Sequence, residues 1–343
     1  MNHPPITVEQ MRNMLSYIDP HDRELWVSIL AAIKAELGTD GLEVCDAWSQ
    51  QADSYKAADF RAVWASLKKS GITIGTLIHH ALQGGYRFTD DHFQETEEQR
   101  QARIFVREKR QQQEAVEAIR QAEKKRNKAS QLWALSVHFE RPMSLYLDNR
   151  GLSAVKDRVP SSLRFIPNLA YWQITDDKPV CIGSFPTMVA AVTDLNGDVV
   201  AIHRTYLSED GNKAPVPKVK KLLGSLNGGA VKLSATGNYD VLCLTEGIET
   251  GLAVHVSTGF PVWACASAHG LKMVQLPNSI KRVHIMADLD ASGTGERVGR
   301  ELAQRLISEG RKVKLVLPSG SISPGTKSVD WLDVYLAEQE TTA

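Results

Sequence analysis

The chain is poor in cysteine. Its four cysteines, Cys45, Cys181, Cys243 and Cys265, are scattered and form no CxxC pair. Neither a zinc ribbon nor a disulfide framework fits that spacing, so no zinc is expected and a reducing, cytoplasmic setting is. No apolar run approaches the roughly 18 residues of a membrane span, and no secretory-signal pattern opens the chain. No membrane partner is therefore expected. An excess of charge is lacking too, since 40 basic residues balance 40 acidic ones. A nucleic-acid role must then rest on a local basic patch. Apolar residues make up 43% and charged residues 23%, enough for a sizeable core and for two or three domains.

Residues 6–86 read as a compact helical domain. Thr7-Val-Glu-Gln10 has the form of a capping box, followed at helical spacing by Val8, Met11, Leu15 and Ile18. Asp19-Pro20 breaks that helix. A second helix is predicted over 24–37 with Gly38 as its stop, and others over 41–49, 59–67 and 73–84. Trp26, Trp48 and Trp64 are expected to form the core of a small bundle. The adjacent His79 and His80 have no partner in sequence and read as ordinary surface or core residues.

Residues 87–130 contain no Gly or Pro and are dominated by Arg, Lys, Glu and Gln. They predict a long charged helix with a thin stripe of Phe105, Val106, Val116, Ile119 and Ala122. Residues 131–235 look α+β. A helix is predicted to start at Leu132-Trp133-Ala134 and to end near Glu140-Arg141-Pro142, and a second to run over 145–150. Strands are predicted at 163–165, 187–192 and 199–206, the last two joined by a hairpin turn at Asn196-Gly197. Alternation sets His203 and Thr205 on one face of the third strand and Arg204 and Tyr206 on the other. A basic run then carries Lys213, Lys218, Lys220, Lys221 and Lys232, read either as a solvated loop or as a phosphate-binding surface.

In residues 236–343, short apolar runs alternate with helical patterns, the mark of βαβ units around a parallel sheet. Acidic residues follow the runs: Glu246 after 241–244, Asp288 and Asp290 after 283–286, Asp330 and Asp333 beyond 313–317. Ligands of such sheets sit outside the carboxyl ends of the strands, so these carboxylates should converge. Converging carboxylates repel one another, and a hard cation such as Mg²⁺, with Mn²⁺ as its substitute, relieves this. Three other motifs compete. Gly320 to Ser328 nearly spells a P-loop, but its lysine stands one place late. Asp288 to Gly293 opens like an EF-hand loop, yet Gly299 occupies the place of the bidentate acid. Asp288-Leu-Asp-Ala-Ser292 approaches an aspartyl-phosphatase motif away from its usual first strand. The plainest competing reading makes the aspartates helix caps.

The order Glu-Gly, Asp-x-Asp, Asp-Trp-x-Asp over about 238–340 resembles the Toprim domain of bacterial-type primases, topoisomerases and nucleases. Leu15 to Pro20, Asp22 to Trp26, Trp48-Ser49 and Ile72 to Leu77 are similar to the primase C-terminal type 2 module of plasmid and phage primases. Arg204 to Leu207, Lys220 to Gly224 and Gly228 to Leu233 are similar to the segment that precedes Toprim in those primases. The resemblance implies a Toprim-type parallel sheet with flanking helices, preceded by an α+β subdomain and an N-terminal all-α domain. The implied boundaries are 1–86, 87–130, 131–235 and 236–343. It further implies a DNA primase that makes short RNA primers from NTPs on single-stranded DNA with Mg²⁺, in plasmid or phage replication, with a replicative helicase as a further partner. Glu246 would be the general acid or base. Asp288 and Asp290 would hold the metal, with Glu246, Asp330 and Asp333 completing its surroundings. Arg204 and Lys327 would meet phosphates, joining Lys213, Lys218, Lys220, Lys221 and Lys232 of the basic run. One departure stands out: many primases have Glu-Gly-x-x-Asp at the first motif, whereas Thr250 occupies the Asp place here, beside Glu249. A Toprim metal-dependent nuclease and a non-catalytic adaptor for single-stranded DNA or nucleotides are the alternatives.

Overall fold

A computed structural model describes residues 6–67, 71–88, 97–138, 140–175, 178–237, 239–319, 322 and 325–342. The chain divides into two compact units, Met1–Gln113 and Glu114–Ala343.

The first unit is helical: α1 (Val8–Leu15), α2 (Arg23–Leu37), α3 (Leu42–Ser49), α4 (Ala57–Ser66) and α5 (Ile74–Gln83). The capping box forms as the sequence predicts, with Gln10 N donating to Thr7 Oγ1 at 3.1 Å and Thr7 N to Gln10 Oε1 at 2.8 Å. Gly38 ends α2 at a positive φ of 62°, which a residue with a Cβ resists. Trp26, Trp48 and Trp64 are buried together with Met11, Ile29, Leu30, Phe60 and Leu77. A single 39-residue helix, α6 (Glu97–Leu135), follows, and Phe105, Val106, Val116 and Ile119 stand exposed along it.

Here one expectation fails. Leu132 to Ala134 form the last turn of α6 rather than the start of a helix, and α7 (Arg141–Asn149) begins where a stop was read. Pro142 sits in the first turn of α7, where a missing N–H costs nothing. Strands β1 (Leu163–Thr175), β2 (Lys178–Thr193), β3 (Val199–Tyr206) and β4 (Lys220–Gly224) make an antiparallel sheet in that order. The Asn196-Gly197 turn forms, with Gly197 at φ 88° and Asp194 Oδ1 accepting from Asn196 N and Asp198 N. Part of the basic run is thus a strand rather than a loop.

The remaining chain builds β5 (Val231–Lys232), β6 (Val241–Thr245), α8 (Ile248–Thr258), β7 (Val262–Ala264), α9 (Ala268–Met273), β8 (Arg282–Met286), β9 (Leu289–Asp290), α10 (Thr294–Ser308), β10 (Lys312–Val316), β11 (Ser328–Val329) and α11 (Trp331–Thr342). The sheet order is β10-β8-β6-β7-β5, with β5 alone antiparallel. Both faces are covered, as a parallel sheet requires. Cys243, Val262, Ala264 and Met286 pack with α8 and α11, while Leu242, Leu244, Val283 and Ile285 pack with α9 and α10. From β6 the chain steps to β7 on one side, then returns to β8 on the other. The strand order therefore reverses between β6 and β8, and a crevice opens at their carboxyl ends.

Candidate active site

Glu246 follows the last residue of β6, and Asp288 comes two residues after β8, so both stand at that crevice. Trp331 Nε1 donates to Ala287 O at 3.2 Å and seats the start of α11 there, bringing Asp330 and Asp333 alongside. Asp288 is the focus. Burial and then the negative charges of Asp330, Glu246, Asp290 and Asp333 push its carboxyl up to about 7. Its Oδ1 is buried and has no hydrogen-bond partner. Glu246 is also raised, by burial first and by Asp290, against the opposing pull of the Ala268 N–H. Ala266, in the turn between β7 and α9 just before Ala268, holds a positive φ of 63°, a strained conformation of the kind that clusters at functional sites.

Asp290 does a second job. Its carboxylate accepts from Ser292 N, Thr294 N and Gly295 N at 2.9, 3.1 and 2.7 Å, and from the Ser292 hydroxyl, which together hold it below the usual carboxylate range. The capping reading thus holds for this aspartate, which remains close enough to raise its neighbours. A Cβ on Gly295 would lie 2.4 Å from Asp288 O, so only glycine lets α10 start this near the acidic group. Asp330 and Asp333 also cap: Asp330 Oδ1 accepts from Leu332 N and Asp333 N, and Asp333 Oδ2 accepts from Asp330 N.

The structure therefore brings the five predicted carboxylates together. Among the described residues no three His, Cys, Asp or Glu side chains form a set able to hold a metal ion by themselves. The donor chemistry still fits Mg²⁺, which takes one or two carboxylates and fills its other positions with water and phosphate oxygens. An orphaned, buried Asp288 oxygen among like charges is the kind of group such a cation satisfies.

The basic residues are not brought together. Lys220 and Lys221 are neighbours on β4 and point to opposite faces of its sheet. Lys220 pairs across the ladder with Thr205, whereas Lys221 pairs with Arg204. Lys221 stacks over Tyr171 at 3.5 Å and donates to Trp172 O, and Arg204 donates to Tyr206 Oη and Leu222 O. Lys232, on β5, donates to Asp194 O at 2.8 Å and lies over Trp263. Lys213 and Lys218 are exposed between β3 and β4, and Lys327 is exposed next to β11, the partner strand of Asp290. Of the near P-loop, Gly320, Ser321, Ser323 and Pro324 lie outside the described residues.

The Toprim family model matches residues 241–340, and the model described as Primase C terminal 2 (PriCT-2) matches residues 11–81. The chain carries a Toprim domain and a primase C-terminal 2 module. Residues 123–233 match a domain of unknown function, DUF7146. No curated protein matches the chain. Among solved structures, the primase fragment of the bacteriophage T7 primase-helicase is 16% identical over 60% of this chain and 76% of that one, with a TM-score of 0.36. A DnaG primase catalytic domain bound to ssDNA is 14% identical over 64% and 79%, with a TM-score of 0.42. The zinc-binding and RNA polymerase domains of Aquifex aeolicus primase are 13% identical over 84% and 69%, with a TM-score of 0.40.

Beside the Toprim acids lies a group that sequence reasoning missed. Glu249, in the first turn of α8, is 4% exposed. Its Oε1 accepts from Tyr146 Oη at 2.5 Å and its Oε2 from Lys220 Nζ at 2.8 Å. Burial raises its pKa, but Lys220 and these hydrogen bonds outweigh that and bring it down to about 2. Tyr146 is raised by its own burial and by Glu249. His203, buried on the face of β3 that carries Thr205, is pushed down to about 4, mainly by burial. Both oxygens of Glu249 are thus engaged by the α+β segment. It does not stand in for the acid that Thr250 replaces. Its sequence signal was an acid at the second position of a helix with no other Asp, Glu, Lys or Arg.

Proposed function

We propose that the chain is a primase-type nucleotidyltransferase that joins NTPs into short RNA primers on single-stranded DNA, in plasmid or phage replication. The observation that carries this reading is Asp288, half-buried at the switch point, its Oδ1 unpartnered and four other carboxylates around it. Such a site gains most from binding a divalent cation with its phosphate ligands. Asp288 and Asp290, with Glu246, Asp330 and Asp333 around them, would hold Mg²⁺, which supplies charge neutralisation at the reacting phosphate. The chain's own groups do the rest. Glu246, its carboxyl raised above the ordinary glutamate value by burial, takes the proton from the attacking 3′-hydroxyl or delivers one to the leaving pyrophosphate. Lys220, its ammonium half-exposed on the Glu249 carboxylate, and Lys327, beside β11, attract triphosphate and template oxygens. Burial of the first turn of α8 keeps Glu246 partly desolvated, which strengthens its interactions with the reacting charge.

One assay tests this. The protein is incubated with single-stranded DNA, labelled NTPs and Mg²⁺ or Mn²⁺, alongside Asp288→Ala. New oligoribonucleotides that depend on Asp288 are expected. Shortened DNA in their place identifies a nuclease, and DNA binding with no product identifies an adaptor; either result overturns the reading.

A further inference from the structure

The primase C-terminal 2 module holds a cavity of about 110 Å³ that the proposed reaction does not use. Trp26 and Phe60, 7% and 3% exposed, supply buried aromatic lining, and Tyr55 forms part of the wall. The rings are held. Trp26 Nε1 donates to Ser49 Oγ at 2.8 Å, Trp26 and Phe60 meet edge-on at 6.4 Å, and Tyr55 tilts against Phe60 at the same distance. Two cations from separate parts of the chain join this lining. Arg23, at the start of α2, lies 5.0 Å over the Trp26 ring, and Lys56 precedes α4. Both are exposed, and among the described residues neither has an ion-pair partner.

An enclosed apolar cavity of about 150 Å³ accepts benzene, and this open one is smaller, at about 110 Å³, so it admits at most one six-membered ring inserted through its open side, part of the ring staying outside. Aromatic walls bind a planar base by its face, and cations at the rim bind the phosphates on either side of it. Asp59, also on the wall, offers an acceptor for a ring or exocyclic N–H. An apolar peptide side chain would use the aromatic lining but leave Arg23 and Lys56 without a counter-charge. We propose that this pocket takes one pyrimidine nucleotide of single-stranded DNA, with Arg23 and Lys56 on its flanking phosphates. The module is then a second, independent grip on the strand that the Toprim site copies. This inference shares only the DNA ligand with the proposed reaction.

The test is binding rather than synthesis. The full chain is titrated against a labelled pyrimidine decanucleotide across a salt series by fluorescence anisotropy. Arg23→Glu and Lys56→Glu should each weaken binding about fivefold. The double variant should flatten the slope of log affinity against log salt by about 1.4, since each phosphate contact on a single strand contributes about 0.7. Arg12→Glu makes the same charge change on the exposed surface of α1 and should have under a twofold effect. A bromodeoxyuridine-substituted strand should crosslink to residues 49–60 in the wild type and lose that crosslink in the double variant. Unchanged affinity and slope in the double variant, or an equal loss in Arg12→Glu, overturns the proposal. The same titrations on Asp288→Ala should retain the Arg23 and Lys56 effects, which separates failure of this inference from failure of the proposed reaction.

Discussion

Glu246 and Glu249 lie three residues apart where β6 turns into α8, and their surroundings are opposite. Glu249 has a lysine on one oxygen and a tyrosine hydroxyl on the other, and its pKa falls. Glu246 faces Asp288 and its acidic neighbours with one backbone N–H in support, and its pKa rises. The difference shows how burial acts on a carboxylate. With partners, burial makes a charge a fixed structural element; without them, it leaves a group poised to hold a proton or a cation. The acidic edge is incomplete by itself, whereas the Tyr146–Glu249–Lys220 group is complete.

The largest effect should come from breaking the incomplete side. Asp288→Ala removes the carboxylate with the orphaned oxygen, and primer synthesis should fall by on the order of 10³-fold. Circular dichroism should stay unchanged, because Asp288 makes no hydrogen bond through that oxygen. Glu249→Gln at saturating Mg²⁺ should retain far more activity. If both variants lose synthesis equally, the distinction between the two acids collapses.

The complete side should fail in stability instead. Lys220→Met leaves Glu249 charged, buried and short of a partner, at a cost of about 3 kcal/mol in urea denaturation at neutral pH. Glu249→Gln should cost less, because the side chain of Lys220 is 43% exposed and can return to water. The double variant should recover part of the Lys220→Met loss. Strict additivity of the two changes would show that the pair is not coupled.

How much of this was visible beforehand follows from the range of the interactions. The carboxylates of the acidic edge each follow a short apolar run, and the alternation of strand and helix fixed which end of the sheet they share. The capping box and the Asn196-Gly197 turn were legible because each is closed within a few residues. The start of α7 was misread because Pro142 serves a first turn as readily as it ends a helix. Strand β4 was hidden because Lys-Lys-Leu-Leu-Gly does not alternate, and its faces are set only by β3. The length of β1 was obscured by Pro167, which falls within a register shift of the edge strand. Glu249 could not be assigned a partner because Tyr146 is 103 residues away.

A smaller effect comes from pH without metal. Asp288 has a folded-state pKa of about 7 against an ordinary value of 3.8. The folded state therefore holds the extra proton in that window, and the stability that Asp288 contributes falls as pH rises from about 4 to 7. After allowance for solvent screening, the loss should be on the order of 1–2 kcal/mol. Thermal unfolding in EDTA should show this slope as the difference between wild type and Asp288→Asn, because buried His203, pushed from 6.5 down to about 4, adds an opposite slope to both; Mg²⁺ should restore wild-type stability above pH 7. Glu249 contributes in the opposite sense, stabilising at neutral pH and losing that contribution as pH falls below the ordinary glutamate value. A stability difference between wild type and Asp288→Asn that does not change between pH 5 and 7 would place Asp288 with the satisfied acids.

The smallest effect tests how the two sides share the basic residues. Lys220 and Arg204 are both cations of the α+β segment, yet they sit on opposite faces of one sheet. Only Lys220 shares its contacts with the first turn of α8. Lys220→Ala should raise the KM for NTPs about tenfold, whereas Arg204→Ala should change it less than twofold. Arg204 instead ties Tyr206 Oη to Leu222 O, so its loss should appear as about 1 kcal/mol of stability. Equal KM effects would mean that both faces of the sheet meet the substrate. The satisfied pair would then no longer mark which lysine serves the acidic edge.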